Sequence, residues 1–215
     1  MPTKKTSEPK ADCKLCPRLA DFRKANRLAF PDFFNAPVPC FGAVDTQILI
    51  VGLAPGLRGA NRTGRPFTGD YAGDLLYATL KKFNLATGDY AQDPADSLKL
   101  TKARICNAVR CVPPENKPTP AEVRACNGFL KSEIESLANL KVLIILGRIA
   151  HDATLDALGA KRSGYKFAHG AVHEVAGFNL VDSFHCSRYN TNTGKLTPAM
   201  FEDVFAKACN LTLHS

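Results

Sequence analysis

Four short runs, QILIVGL (47–53), ARICNAV (103–109), KVLIILG (141–147) and FNLVDSF (178–184), are largely apolar on successive residues rather than on alternate ones. A strand of that kind must be covered on both faces, as in a parallel sheet flanked by helices. Segments with helical spacing separate the runs. Residues 70–83 place Leu75, Leu76, Thr79 and Leu80 on one side. Residues 119–138 open with a T-x-x-E capping box, Thr119 and Glu122, with Pro120 at the first helical position. Their apolar residues fall at 123, 126, 130, 134 and 137, a helical stripe. Residues 148–158 follow the third run, and 197–208 begin with another Thr-Pro pair. Residues 11–30 read as helical after the CKLC turn, and the proline-rich segment 30–42 reads as an irregular connection. Alternation of strand and helix predicts an α/β sandwich with helices on both faces.

The chain of 215 residues fits one domain, over 11–215, behind a polar Lys- and Pro-rich tail at 1–10 that reads as disordered. Nothing apolar approaches the roughly 20 residues that cross a bilayer, and no apolar segment follows the charged start. The expectation is a cytoplasmic protein with no membrane partner. Lys and Arg number 28 against 20 Asp and Glu, a net charge of +8 that favours a polyanion: nucleic acid, an acidic membrane surface or a phosphorylated ligand. In a reducing compartment the eight cysteines point to metal binding rather than disulfides.

Directly after the first run comes GLAPGLRGANRTGRPFTGD (52–70), with five glycines, three arginines and a single carboxylate, Asp70. A glycine-rich loop between strand and helix can point backbone N–H groups at an anion. Neither G-x-x-x-x-G-K-[ST] nor G-x-G-x-x-G is present, so an ordinary nucleotide cradle is excluded.

Four cysteines form a set. Cys13 and Cys16 make a C-x2-C turn, and Cys111 reaches Cys126 across 14 intervening residues and a proline-rich loop. Four thiolates suit either structural zinc or a [4Fe–4S] cluster, and spacing alone does not choose. Cys126 also falls on the apolar stripe of its helix. Cys40, Cys106, Cys186 and Cys209 lack partner spacing and read as small apolar fillers.

The loop at 52–70, NAVRCVPPENKPTP (107–120) with Cys126 after it, LGRIA (146–150), HCSRYNTNTGKLT (185–197) and CKLCPRL (13–19) together resemble the type-5 (family 5) uracil-DNA glycosylases over nearly the whole chain after the tail. The resemblance implies a three-layer α/β/α sandwich around a central four-stranded parallel sheet. It implies a [4Fe–4S] cluster on Cys13, Cys16, Cys111 and Cys126, hence iron–sulfur over zinc. It implies removal of uracil, and often hypoxanthine, from DNA by an enzyme expected to be monomeric and nucleoid-associated while at work.

Such an enzyme flips the damaged nucleotide into a pocket. Glycines such as Gly52 then let backbone pass close to the nucleotide, and the loop arginines, Arg62 among them, meet phosphates. N-glycosidic cleavage builds positive charge on the sugar and negative charge on the leaving base. Asp70 can stabilise the first and orient water, the role the resemblance implies, and it also reads as a helix N-cap. His185, at the carboxyl end of the fourth run, can donate to the uracil O2 as charge develops. Phe67 can stack on the base, or else pack in the core, and the Asn107 amide can read the uracil O4 and N3 edge. Arg62, Arg188 and Lys195 are candidate phosphate contacts, and the 187–194 loop is expected to enter the minor groove or fill the gap left by the flipped base. Tyr189 departs from the family's last motif, where glutamine is common, which bears on opposite-base preference. His151, His169, His173 and His214 carry no functional assignment. Two other classes compete: a non-catalytic iron–sulfur nucleic-acid-binding protein on a degenerate scaffold, and a redox or sensor protein.

Overall fold

The computed structural model describes residues 8–213. In chain order the elements are α1 (Pro17–Ala29), β1 (Ile48–Gly52), α2 (Ala60–Thr63), α3 (Tyr71–Lys82), β2 (Ala86–Thr87), β3 (Lys99–Leu100), β4 (Ala103–Asn107), α4 (Pro120–Ser136), β5 (Val142–Leu146), α5 (Arg148–Ala157), β6 (Val172–Val175), β7 (Phe178–Ser183), α6 (Arg188–Asn192) and α7 (Pro198–Leu213).

The main sheet runs β4-β1-β5-β7-β6. The first four strands are mutually parallel, and β6 is added antiparallel to β7 at one edge. Along β1, Ile48 and Ile50 pack with Leu76 and Leu80 of α3 and Phe201 and Phe205 of α7. Leu49 and Val51 face the other way, toward Leu130 and Ile134 of α4 and Ala150 and Ala153 of α5. Each parallel strand thus feeds two cores, which is why its sequence is apolar at successive positions.

The four apolar runs are the four parallel strands, and the layered architecture agrees with the expected sandwich. The sheet differs by its fifth strand. VHEV in β6 is mostly solvent-facing, so it lacks the continuous apolar signature of its neighbours. It is joined to β7 by the two-residue turn Ala176–Gly177, both at positive φ (51° and 84°), which matches the right-handed twist of a hairpin. The small β2–β3 ribbon is likewise too short to leave a periodic signal.

The predicted helix at 11–30 begins only at Pro17, because Pro17 suits the first helical position and the chain before it turns at Cys13 N–H to Lys10 O. The capping box of α4 forms in full: Thr119 Oγ1 accepts from Glu122 N–H, and Glu122 Oε2 accepts from Thr119 N–H. The same carboxylate takes a two-pronged contact from Arg18, 2.7 Å at each oxygen, fastening α1 to α4. Of the expected tail, residues 1–7 lie outside the described residues. Glu8 meets the buried Arg110 guanidinium at 3.2 Å and accepts from Cys40 N–H.

Candidate active site and cysteine cluster

β1, β4 and β7 all end on the same side of the sheet, and a cleft of about 600 Å³ opens there. This is the position at which open parallel sheets bind ligands. Asp70, Phe67, Asn107, His185 and Arg188 line it together, although they come from opposite ends of the sequence. Asn116, Tyr71 and Ser187 also line it. The sequence pattern does not single these out; for Asn116 the available signal was its place in the PPEN turn between Cys111 and α4.

Asp70 is the N-cap of α3, and its Oδ1 accepts from Gly73 N–H at 3.3 Å. Burial raises its pKa above the usual carboxylate range, against the opposing pull of the Gly73 and Ala72 amides. A Cβ on Gly59 would overlap its Oδ2, and one on Gly56 would stand 3.2 Å from the same oxygen. Gly52 is buried and does not line the cleft; it sits behind Phe67 and Asn107, where a Cβ would fall 2.7 Å from the Phe67 ring and 2.5 Å from the Asn107 Oδ1. These glycines make room for the protein's own side chains.

Phe67 adopts φ of 52°, uncommon for a bulky residue. The turn around it is fixed from α3 and from the 88–98 loop. Tyr77 donates its hydroxyl to Pro66 O (2.6 Å), while Tyr90 donates to Phe67 O (3.2 Å) and accepts from Gly69 N–H (3.3 Å). The Phe67 ring faces the His185 imidazole, centroids 5.9 Å apart and planes 27° apart. His185 keeps some access to the cleft, but protein packs around it closely enough that burial lowers its pKa to about 4. It is therefore a neutral imidazole at physiological pH, able to donate one hydrogen bond. Asn107 is buried at the end of β4, paired in register with Gly52, and its amide makes no hydrogen bond to protein among the described residues.

The basic residues divide. Arg62, Arg188 and Lys195 are exposed, and so is Tyr189; of these only Arg188 lines the cleft. Arg188 lies over the Tyr71 ring and Lys195 over the Phe184 ring. Tyr189 is 74% exposed and lines no wall of the cleft. Arg65 does not join the exposed arginines. It is buried, its guanidinium holds both oxygens of Asp96 at 2.7 Å, and it lies over the rings of Phe41, Tyr77 and Tyr90.

Cys13, Cys16, Cys111 and Cys126 converge on a second, apolar pocket walled by Leu15, Leu19, Val109 and Phe129. Burial raises the Cys16 thiol pKa to about 11 and that of Cys126 to about 12. Donors nevertheless point at the sulfurs: Arg23 Nη1 at Cys111 Sγ (3.2 Å) and Arg110 N–H at Cys126 Sγ (3.4 Å). Among the described residues, the groups of three possible ligands whose atoms all lie within 4.8 Å of one another do not include this quartet. Four sulfurs about 2.3 Å from one zinc ion would lie roughly 3.8 Å apart. The quartet is wider than that and fits a polynuclear cluster better than one ion. Of the remaining cysteines, Cys106 and Cys186 are buried, Cys186 donating to Ala72 O, and Cys40 and Cys209 are half-buried.

A family model described as the uracil DNA glycosylase superfamily matches residues 39–209. A type-5 uracil-DNA glycosylase of Thermus thermophilus is 43% identical over 93% of both chains. One from Pyrobaculum aerophilum is 35% identical over 92% of this chain and 88% of its own. A type-4 uracil-DNA glycosylase of Thermotoga maritima is 34% identical over 76% of this chain and 77% of its own. With a cleft at the carboxyl edge of the parallel strands that gathers carboxylate, imidazole, amide and phenyl side chains, the chain belongs to the uracil DNA glycosylase superfamily, among its type-5 members.

Proposed function

We propose that this protein is a monofunctional DNA glycosylase that hydrolyses the bond between deoxyribose and uracil, leaving an abasic site, and that hypoxanthine is a second substrate. The observation that carries the reading is the convergence of Asp70, Phe67, Asn107 and His185 in one cleft. A flipped base entering it meets the Phe67 ring on one face and the Asn107 amide at its polar edge. As the C1′–N bond breaks, its electron pair moves to the base, and the neutral His185 N–H stabilises the charge gathering on the carbonyl oxygen. Asp70 faces the opposite charge on the sugar; its carboxylate stabilises the cation and orients the water whose oxygen bonds to C1′, and the proton that water loses neutralises the departing uracil anion. A neutral donor suits this division of labour, because it delivers a hydrogen bond without presenting a second positive charge to the cationic sugar.

Arg188 at the cleft and the exposed Arg62 and Lys195 supply phosphate contacts, and Tyr189, exposed on α6, contacts the duplex. Cys13, Cys16, Cys111 and Cys126 would hold a [4Fe–4S] cluster, with Arg23 offsetting the thiolate charge. The cluster's contribution is structural, tying the segment before α1 to the loop after β4 and to α4.

The deciding experiment is a single-turnover assay on duplexes carrying one uracil or one hypoxanthine, comparing wild type with Asp70→Ala and His185→Ala, beside iron and labile-sulfide analysis. Alkali-revealed cleavage by wild type, reduced by orders of magnitude in both variants, is expected. DNA binding without release of either base would replace this reading with the non-catalytic one. Cleavage of uracil alone would remove hypoxanthine, and full activity without iron would remove the cluster.

A further inference from the structure

On the far edge of the sheet, His151 of α5, His173 of β6 and Asp182 of β7 bring their ligand atoms within 4.8 Å of one another. None of the three belongs to the cleft or to the cysteine pocket. His151 and Asp182 are fully buried, and His173 is 16% exposed at the side chain. His151 Nδ1 contacts Asp182 Oδ1 at 2.8 Å, and its Nε2 contacts Tyr165 O at 3.0 Å. The other carboxylate oxygen, Oδ2, stands 3.3 Å from His173 Nε2, yet neither atom has a hydrogen-bond partner of acceptable geometry. A buried carboxylate oxygen and a buried ring nitrogen left without partners beside each other call for an explanation.

The geometry points to a divalent metal site, zinc by its donor chemistry, on His151 Nδ1, His173 Nε2 and Asp182. Two ligands about 2.1 Å from a tetrahedral ion lie roughly 3.4 Å apart, close to the 3.3 Å between the two unpartnered atoms, while the 2.8 Å pair of His151 Nδ1 and Asp182 Oδ1 would open by about 0.6 Å around the ion. A bridging ion would satisfy both where a direct hydrogen bond does not. The Tyr165 carbonyl completes the arrangement: accepting from His151 Nε2–H, as the usual second partner of a metal-bound histidine does, it leaves Nδ1 as the atom that meets the ion once the proton shared with Asp182 Oδ1 has left. Loading zinc displaces the proton between His151 Nδ1 and Asp182 Oδ1, so one proton leaves for each ion bound.

Two nitrogens and one carboxylate oxygen match zinc, and three protein ligands leave the fourth position to a water. Phe167 meets the His151 ring edge-on, and Tyr165 meets His173 in the same way. The Asp182 backbone is held on both sides, its N–H to Ala171 O and its C=O to Gly170 N–H. The ion would pin edge strand β6 and the 165–171 segment to α5 and to β7, whose Asp182 stands three residues upstream of His185.

The test uses the purified full-length protein with its native metal content retained, zinc chloride as the probe, and His173→Ala as the variant. His173 lies on an edge strand and outside the cleft. Expected are one zinc per chain and an X-ray absorption first shell of nitrogen and oxygen only, near 2.0–2.1 Å. A melting-temperature rise of roughly 5–10 °C at a hundredfold excess over Kd is also expected, with all three lost in His173→Ala. The proposal is overturned if wild type takes up no zinc, or if the bound zinc shows a sulfur shell and so sits on the cysteines. Equal uptake by His173→Ala would overturn it as well. Because the absorption spectrum is read on wild type, it decides between these outcomes even if the variant folds poorly.

Discussion

The carboxylate of Asp70 occupies the space that a side chain on Gly59 would claim: its Oδ2 stands well inside contact distance of the position of a Cβ there. Loop and helix cap are therefore fitted to each other, and the glycine holds the carboxylate's place open. Gly59→Ala is expected to push Asp70 off its position and lower single-turnover uracil release by about 100-fold, the usual cost of a misplacement near 1 Å. DNA affinity should change little. Wild-type rates in Gly59→Ala would show that Asp70 need not stand where it does.

Asp70→Asn should separate stability from catalysis. The folded-state pKa is raised above 3.8, so as pH rises past 3.8 the unfolded chain releases its proton first and folding becomes less favourable. At neutral pH the full cost of the buried charge is present. Asparagine keeps the N-cap without the charge. The variant should melt above wild type at pH 7, with the gap closing as pH falls through the raised pKa toward 3.8, while base release is lost. A variant less stable than wild type at pH 7 would contradict this.

His185 should leave no mark near pH 6.5 on the rate profile. Its folded pKa of about 4 lies below the ordinary 6.5, so the neutral donor persists well into acid and sets no limb of kcat/KM near 6.5. For stability the sign is reversed. Between about 6.5 and 4 the unfolded state takes up a proton that the folded state refuses, so His185 makes folding less favourable as pH falls through that window. A rate limb centred near 6.5 that disappears in His185→Asn would refute the neutral assignment.

Two arginines of the loop that leads to Asp70 should behave in opposite ways. Arg65→Ala leaves Asp96 buried without its partner, at a cost of about 3–5 kcal/mol and roughly 10 °C in melting temperature. Arg65 holds Asp96 near a pKa of about 2, so this stabilisation is present above 3.8 and fades as pH falls toward 2. Arg62→Ala should leave the melting temperature within about 2 °C and reduce the salt dependence of DNA binding by about one unit. Matching effects in both variants would show that the burial difference between them does not matter.

The β6–β7 hairpin offers a stabilising change. Ala176 sits at φ of 51°, a conformation asparagine tolerates far better. Ala176→Asn should add about 1 kcal/mol, a rise of roughly 2–4 °C by calorimetry, with no change in activity. No rise, or a fall, would mean that the turn relaxes in solution.

The continuous apolar runs determined the parallel strands, since a strand buried on both faces has no polar positions to spare. The Thr119–Glu122 box and Pro120 determined the start of α4, because capping is a contact between near neighbours in the chain. The multi-residue motifs named Asp70, Asn107 and His185, and the C-x2-C turn named half of the cysteine set. Edge strand β6 stayed hidden, since a half-exposed strand needs no continuous apolar sequence. Two roles were decided by tertiary structure alone: Arg65 and Arg62 share a loop and a charge, yet one is closed over by Tyr77, Tyr90 and Asp96 while the other faces solvent. His151, His173 and Asp182 likewise carry no spacing signal. They meet only because a helix and two antiparallel strands pack together, and burial, which no local pattern encodes, is what turns such a meeting into chemistry.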